Sequence, residues 1–167
     1  MVKKSFNYKP LEIKKPKSYC IMKNGDMVAG EQLIKCHQDD NDVIWQTVVI
    51  NDCKHIYEWN NDVDGYFYAS GSSLETINPD AIFGKYVGIQ NCKITEWHNP
   101  VDGIFSASGS KLECLDATKI KGLVCISNTP LAKVTGLNVA ETTEEKQIIE
   151  NASKWLMQIN TRHYEFG

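Results

Sequence analysis

Arginine is almost missing from this chain. Seventeen of its 18 basic residues are lysine, and Arg162 stands alone. Arginine carries most bidentate recognition of phosphates and base edges. Its scarcity, with a net charge of −3, argues against a nucleic-acid reader. Long apolar runs are missing too. None approaches the ~20 residues that cross a bilayer, so no membrane partner is expected. The basic N-terminus is interrupted by Pro10 and Pro16 with no apolar stretch behind it, so no secretory signal is expected. The six cysteines, at 20, 36, 53, 92, 114 and 125, form no C-x-x-C pair. That removes a zinc knuckle and a thioredoxin-type site, and leaves buried free thiols as the expectation.

Motifs of chemistry are equally sparse. No G-x-S-x-G is present, and no Walker lysine follows the serines of "ASGSS" and "ASGSK". His37, His55, His98 and His163 share no motif with a nucleophile. "NNDVDG", 60–65, starts like a calcium loop, but Gly71 stands where its bidentate acid belongs, so a turn is expected. No enzyme activity, metal or cofactor is expected.

What is present is uneven charge and a repeat. Residues 1–17 hold six lysines and one acid, Glu12, a charge of +5, which leaves −8 for the other 150 residues. Residues 1–18 therefore read as a basic extended arm. From Tyr57 the chain reads "YEWNNDVDGYFYASGSSLE", and from Thr95 "TEWHNPVDGIFSASGSKLE", with 13 of 19 positions identical. This 38-residue repeat divides again. Ile56, Leu74, Ile94, Leu112 and Leu131 are spaced by 18, 20, 18 and 19. Trp59, Ile77, Trp97, Leu115 and Val134 keep the same spacing, and Val63, Ile82, Val101 and Ile120 run at an even 19. Before each leucine-like position lies a β-prone stretch: "TVVIN", "YFYAS", "YVGIQN", "IFSAS" and "LVCISN". A fixed period of this length marks a solenoid, whose coils are too small to bury an apolar face alone and stack into one core.

Residues 123–137, "LVCISNTPLAKVTGL", resemble a short bacterial leucine-rich repeat, with Leu123, Cys125, Asn128, Leu131 and Val134 on the pattern. The resemblance extends over about 47–138, where Asn91 and Asn128 match the family's asparagine while Gly71 and Gly109 replace it. It implies protein binding, and an asparagine side chain bonded to neighbouring backbone along the turn. A β-helix of either hand fits the same period, as does a sheet of hairpins turning at the Asp-Gly pairs 64–65 and 102–103.

The expected fold is thus mainly β: a leucine-rich-repeat-like or β-solenoid stack of about five coils over 47–138, with caps at 19–46 and 139–167. In the first cap, Asn24-Gly25 points to a hairpin covering the first coil, and 36–43 to a polar loop. In the second, Thr142 and Glu145 form a capping box. Ile148, Ile149, Ala152, Trp155, Leu156 and Ile159 then make one apolar helical stripe.

Trp59 and Trp97 are expected in the core rather than on a ligand platform. Glu58, Glu75, Glu96 and Glu113 lie beside core positions and should point outward as an acidic stripe. These glutamates, with Lys3, Lys4, Lys9, Lys14, Lys15 and Lys17 of the arm, are the candidate partner-binding residues. The leading expectation is a non-enzymatic protein–protein interaction module. A second is a structural subunit of a larger assembly, such as a phage or viral particle, docking through its arm to another protein or to copies of itself. A third is a carbohydrate-binding or polysaccharide-cleaving β-helix. The first two fit a cytoplasmic or virion component.

Overall fold

The structure, a computed structural model, describes residues 17–40 and 42–165, with side chains described as far as residue 159. The chain begins with a hairpin, β1 (Tyr19–Met22) and β2 (Met27–Ala29), then a short helix α1 (Glu31–His37). The repeat follows as β3 (Trp45–Val49), β4 (Glu58–Trp59), β5 (Val63–Tyr68), β6 (Thr76–Ile77), β7 (Tyr86–Gly88), β8 (Glu96–Trp97), β9 (Ile104–Ser106), β10 (Cys114–Leu115) and β11 (Val124–Cys125). A helix α2 (Pro130–Thr135), a strand β12 (Val139–Ala140) and a long helix α3 (Thr143–Glu165) complete it.

This is a β-solenoid. The five β-prone stretches become β3, β5, β7, β9 and β11, each pairing in parallel with the next. They form the middle of an eight-stranded sheet, with the hairpin at one end and β12 at the other. Opposite it, the dipeptide strands β4 and β6 pair in parallel, as do β8 and β10. The third side is a ladder of single bridges, Val63 to Phe83 to Val101 to Ile120. The parallel pairing rules out a sheet of hairpins. Gly65 and Gly103 of the Asp-Gly pairs instead sit where a Cβ would run into the Gln46 or Lys85 carbonyl of the preceding coil.

The core explains why the sequence repeats over 38 residues and not 19. Facing inward along the long sheet, in register, are Val48, Phe67, Val87, Phe105 and Val124, all fully buried. Two residues on come Ile50, Ala69, Ile89, Ala107 and Ile126. On the opposite wall are Trp59, Ile77, Trp97 and Leu115. Large and small alternate along these three columns, and on the third side Phe83 stands between Val63 and Val101, while the Ile56, Leu74, Ile94, Leu112 and Leu131 column keeps one size throughout. The rings meet across the core as a chain: Trp45 to Trp59, to Phe67, to Phe83, to Trp97, to Phe105, with centroids between 4.9 and 6.4 Å apart.

The corner after each long-sheet strand alternates as well. Asp52, Gly71, Asn91, Gly109 and Asn128 all have positive φ, between 56° and 75°. Every second coil uses glycine because the side chain below fills its space: a Cβ on Gly71 would stand 2.5 Å from Asp52 Oδ1, and one on Gly109 would collide with Asn91 Oδ1. Beside them Cys53, Ser72, Cys92 and Ser110 alternate in the same rhythm and are buried.

Three expectations need correction. The third-side column contains Phe83, and Ile82 is 58% exposed. The even spacing of 19 misleads there because coils of 20 and 18 residues succeed each other. Val134 is exposed in α2 and does not continue the tryptophan column. The fifth coil turns helical at that point: Thr129 caps it by accepting from Ala132 N at 3.1 Å, Pro130 opens it, and Gly136 ends it at positive φ. The hairpin caps the first coil as expected, β1 pairing antiparallel with β3 and so covering the edge of the long sheet. The opposite wall is covered by α1, where the hairpin segment and a polar loop were expected to hold no helix: Glu31 and Gln38 accept from His55 N and Asn60 N at 2.6 and 3.1 Å.

The capping box forms as read, with Glu145 N donating to Thr142 Oγ1 at 3.2 Å and Thr142 N to Glu145 Oε1 at 3.1 Å. The stripe on α3 is turned, however. Ile148 and Trp155 are exposed, while Lys146, Ile149 and Ser153 are buried with Ala152 and Leu156 beside them. The last coil has unpaired backbone, and the helix supplies polar groups to it. Lys146 Nζ donates to Ile120 O at 2.6 Å, Ser153 Oγ accepts from Leu115 N at 3.0 Å, and Glu150 Oε1 accepts from Thr118 N at 2.8 Å.

Two substitutions test this arrangement. Leu74→Ala or Leu112→Ala leaves a cavity between coils and should cost on the order of 2–5 kcal/mol in urea melts. Gly109→Asn should destabilise by roughly 1–3 kcal/mol, although asparagine tolerates the conformation, because Asn91 already fills the space. The reverse change, Asn128→Gly, should cost less. Equal costs for these two would refute the corner alternation.

Candidate interaction surface

The long sheet has an outer face, and its side chains form a continuous patch. Tyr66 and Tyr68 point the same way from β5, their rings parallel within 3° at 6.1 Å. Tyr68 meets Tyr86 of the next coil at 5.3 Å, and Lys85 Nζ lies 6.0 Å from the Tyr66 ring. Tyr66, Tyr86 and Ile104 are register partners, so an aromatic–apolar row crosses three coils. Tyr66 and Ile104 are 40% and 42% exposed. Gly88 lets the Tyr86 ring lie across its backbone, since a Cβ there would stand 2.7 Å from that ring.

Polar groups fix the patch. Gln90 Nε2 donates to Tyr86 Oη at 3.1 Å and Ser106 Oγ at 2.9 Å, and its oxygen accepts from Ser70 Oγ. Partial burial, with tyrosine neighbours, raises the pKa of Tyr68. Sequence reading did not single out these tyrosines. Their signal was the "YFY" of one coil followed by the tyrosine of the next, read only as β propensity.

The residues expected to bind a partner are dispersed. Lys3, Lys4, Lys9, Lys14 and Lys15 lie outside the described residues, and Lys17 is exposed at their edge. Glu58, Glu75 and Glu96 are exposed and Glu113 is half-buried. All four lie on the β4–β6–β8–β10 wall, but not in one column: Glu58 is in register with Thr76, and Glu96 with Cys114. Glu58 and Glu75 line a cleft of ≈ 480 Å³ against α1, together with Lys35, Asp39 and His55. Glu96 takes part in a small cluster, with His98 Nε2 at 3.3 Å from it and His98 Nδ1 at 3.2 Å from Asp116. A neutral imidazole can donate to only one of these two carboxylates.

Trp59 and Trp97 are buried, and each indole N–H donates to the backbone of the asparagine two residues on, Asn61 O at 2.8 Å and Asn99 O at 2.9 Å. They are core brackets and cannot serve as a ligand platform. Among the described residues no group of three His, Cys, Asp or Glu side chains is gathered as for a metal ion, and no helix is long and apolar enough to cross a membrane. Comparison with protein-family models, with curated proteins and with solved structures gives no match.

All six cysteines are free; Cys36 is exposed, Cys125 half-buried and the other four buried. Burial raises the thiol pKa of Cys20, Cys53 and Cys92, and that of Cys114 to about 11. Native-state labelling should therefore modify Cys36 first, Cys125 slowly and the rest only on unfolding, and Cys36→Ser should remove the fast phase. The folded value of Cys114 lies above its ordinary 9.0, so its contribution to stability is complete below pH 9 and is lost as pH rises towards 11. Rapid native labelling of all six would refute this burial pattern.

Proposed function

We propose that this chain is a non-enzymatic protein-binding module, and that its partner sits on the outer face of the long sheet. The carrying observation is the row of Tyr66, Tyr68, Tyr86 and Ile104 held on rigid parallel strands. Tyrosine gives a large amphipathic contact at low entropic cost, and serine, glycine and amide neighbours supply adaptable hydrogen bonds. Strands hold such groups more firmly than loops do. Fixing Tyr86 by Gln90 before binding lowers the cost of ordering it on association. The likeness of residues 123–137 to a leucine-rich repeat points the same way, by analogy of fold.

The alternative reading as a subunit of a larger particle keeps the basic arm as its motive, and most of that arm is outside the described residues. The carbohydrate-binding reading loses its two tryptophans to the core.

The test is recovery of a stoichiometric complex from extracts of the organism that encodes the chain, comparing the natural protein with Tyr66→Ala and Tyr86→Ala. A central aromatic anchor is worth at least ~2 kcal/mol, so either variant should weaken the complex about thirtyfold. Their melting temperatures should stay close to that of the parent, since the side chains point out of the core. Undiminished recovery with both variants, but loss with Trp155→Ala, would move the binding surface to α3.

A further inference from the structure

The outer face of the long sheet extends well beyond the tyrosines. Tyr66 and Tyr86 belong to one row of six that crosses six strands in register: Met27, Ile21, Thr47, Tyr66, Tyr86 and Ile104. The row two residues on has eight members and crosses all eight strands, from Ala29 through Tyr68 to Val139. A third row of five, from Asn51 through Gln90 to Ser127, lies beside them. Backbone bonds carry it from coil to coil, such as Gly71 N donating to Gln90 O at 2.8 Å. None of these nineteen residues is charged, in a chain that is 23% charged and on the side that faces solvent. The charges nearby stand at the margin: Lys85 Nζ is 6.0 Å from the Tyr66 ring, and Asp64 is paired with Lys23 at 3.7 Å. Met27, Tyr66, Ile104 and Val139, from one end of the face to the other, are exposed.

We propose that the occupant of this face is a second copy of the chain, the two long sheets packing face to face about a two-fold axis. This rests on the reading of the tyrosine patch as a binding surface, and it names the partner. Three observations favour a copy of the chain itself. The first is the missing charge. An interface with an unlike partner is about as polar as any other surface, whereas a homodimer interface is more apolar and its core is poor in charge. A contiguous apolar face of this kind is also more than a lone soluble chain usually leaves open. The second is extent. Eight strands at ~4.8 Å span roughly 34 Å. Nineteen residues come close to the ~20–30 that each side of a stable interface contributes. The third is self-complementarity. A two-fold parallel to the strands at β7 reverses each row end for end. It sets Tyr66 over Ile104 of the partner subunit and Tyr68 over Ser106 of the partner subunit, so bulky coils meet lower ones. Sheet faces pack in this aligned way ~10 Å apart.

The test is sedimentation equilibrium of the full chain from about 1 to about 100 μM. The mass should rise with concentration from 18.9 kDa towards twice that value. The equilibrium should be the same at ~0.05 and ~0.5 M salt, because no charge pair lies in the contact. Ile104→Lys on β9 and Thr47→Lys on β3 should each weaken the dimer at least ~100-fold, since an unpaired ammonium enters the contact twice. Trp155→Lys on α3 should leave it unchanged. Far-UV circular dichroism would confirm that each variant is folded. A mass of 18.9 kDa across the whole range would overturn the inference. So would a dimer that keeps its affinity in both β-strand variants, or one that Trp155→Lys breaks. The two readings can fail separately. A chain that is monomeric alone, yet recovers a different protein through Tyr66, loses this partner and keeps the proposed function. A chain that is monomeric and recovers nothing loses both. A recovered complex made of this chain only, and lost in Tyr66→Ala, supports both.

Discussion

Everything in this molecule depends on the matching of bulk between neighbouring coils. Parallel strands stack at ~4.8 Å, and at that pitch successive side chains of one column touch, so the bulk of one coil sets the room left to the next. The chain meets the constraint by using two coil types in turn. One type has valine and isoleucine on the long sheet and tryptophan opposite, as in Val48, Ile50 and Trp59. The other has phenylalanine and alanine on the long sheet and a medium aliphatic opposite, as in Phe67, Ala69 and Ile77. The tryptophan of the first type is offset on the third side, where that coil has Val63 and the second type has Phe83. The aromatic chain from Trp45 to Phe105 results from this offset, since each ring packs on its neighbour's edge or tilted face and not on a ring of its own column.

The two ends show a second constraint. A solenoid wall that stops leaves backbone donors and acceptors with no next coil, and burying them unpaired is costly. Here side chains take the place of the missing strand. Glu31 and Gln38 do so at the start, and Lys146, Glu150 and Ser153 at the finish. Burying the Lys146 ammonium is tolerable because it donates to two carbonyls, Ile120 O and Lys121 O. The long sheet is treated differently. It is extended by antiparallel strands at both ends, which moves its open edges to the short strands β2 and β12.

This division explains what could be read from the sequence. The period, the long-sheet strands, the leucine column and the capping box are written in apolar spacing and local chemistry, which one chain shows directly. The face of α3 was misread because amphipathicity assumes that the buried side of a helix is apolar, whereas this one must hydrogen-bond a coil end. Helix α1 was missed because its N-cap, Gly30, makes no side-chain bond and only Ile34 among its residues is buried. Phe83 was misplaced because a constant period was imposed on coils that differ by two residues. The tyrosine patch was hidden for another reason: outward positions follow no packing rule, so nothing in the pattern marks them.

That same freedom is visible within the repeat. Thirteen of the 19 positions beginning at Tyr57 and Thr95 are identical, and they include every position buried in both copies. The six that differ are Tyr57/Thr95, Asn60/His98, Asp62/Pro100, Tyr66/Ile104, Tyr68/Ser106 and Ser73/Lys111, and none is buried in either copy. Where packing dictates the side chain, the two copies agree; where solvent is the neighbour, they diverge. Divergence at a solvated position is unconstrained by the fold, so a cluster of tyrosines there is not explained by stacking. The paired tyrosines of β5 occur in one copy only and are met by Tyr86 from the intervening coil, with Gln90 binding that ring to Ser106 of the second copy. The patch is therefore a local construction laid over a regular scaffold. None of the three tyrosines belongs to an inward column, so the stacking of the core does not dictate them, although their ring contacts add to the sheet.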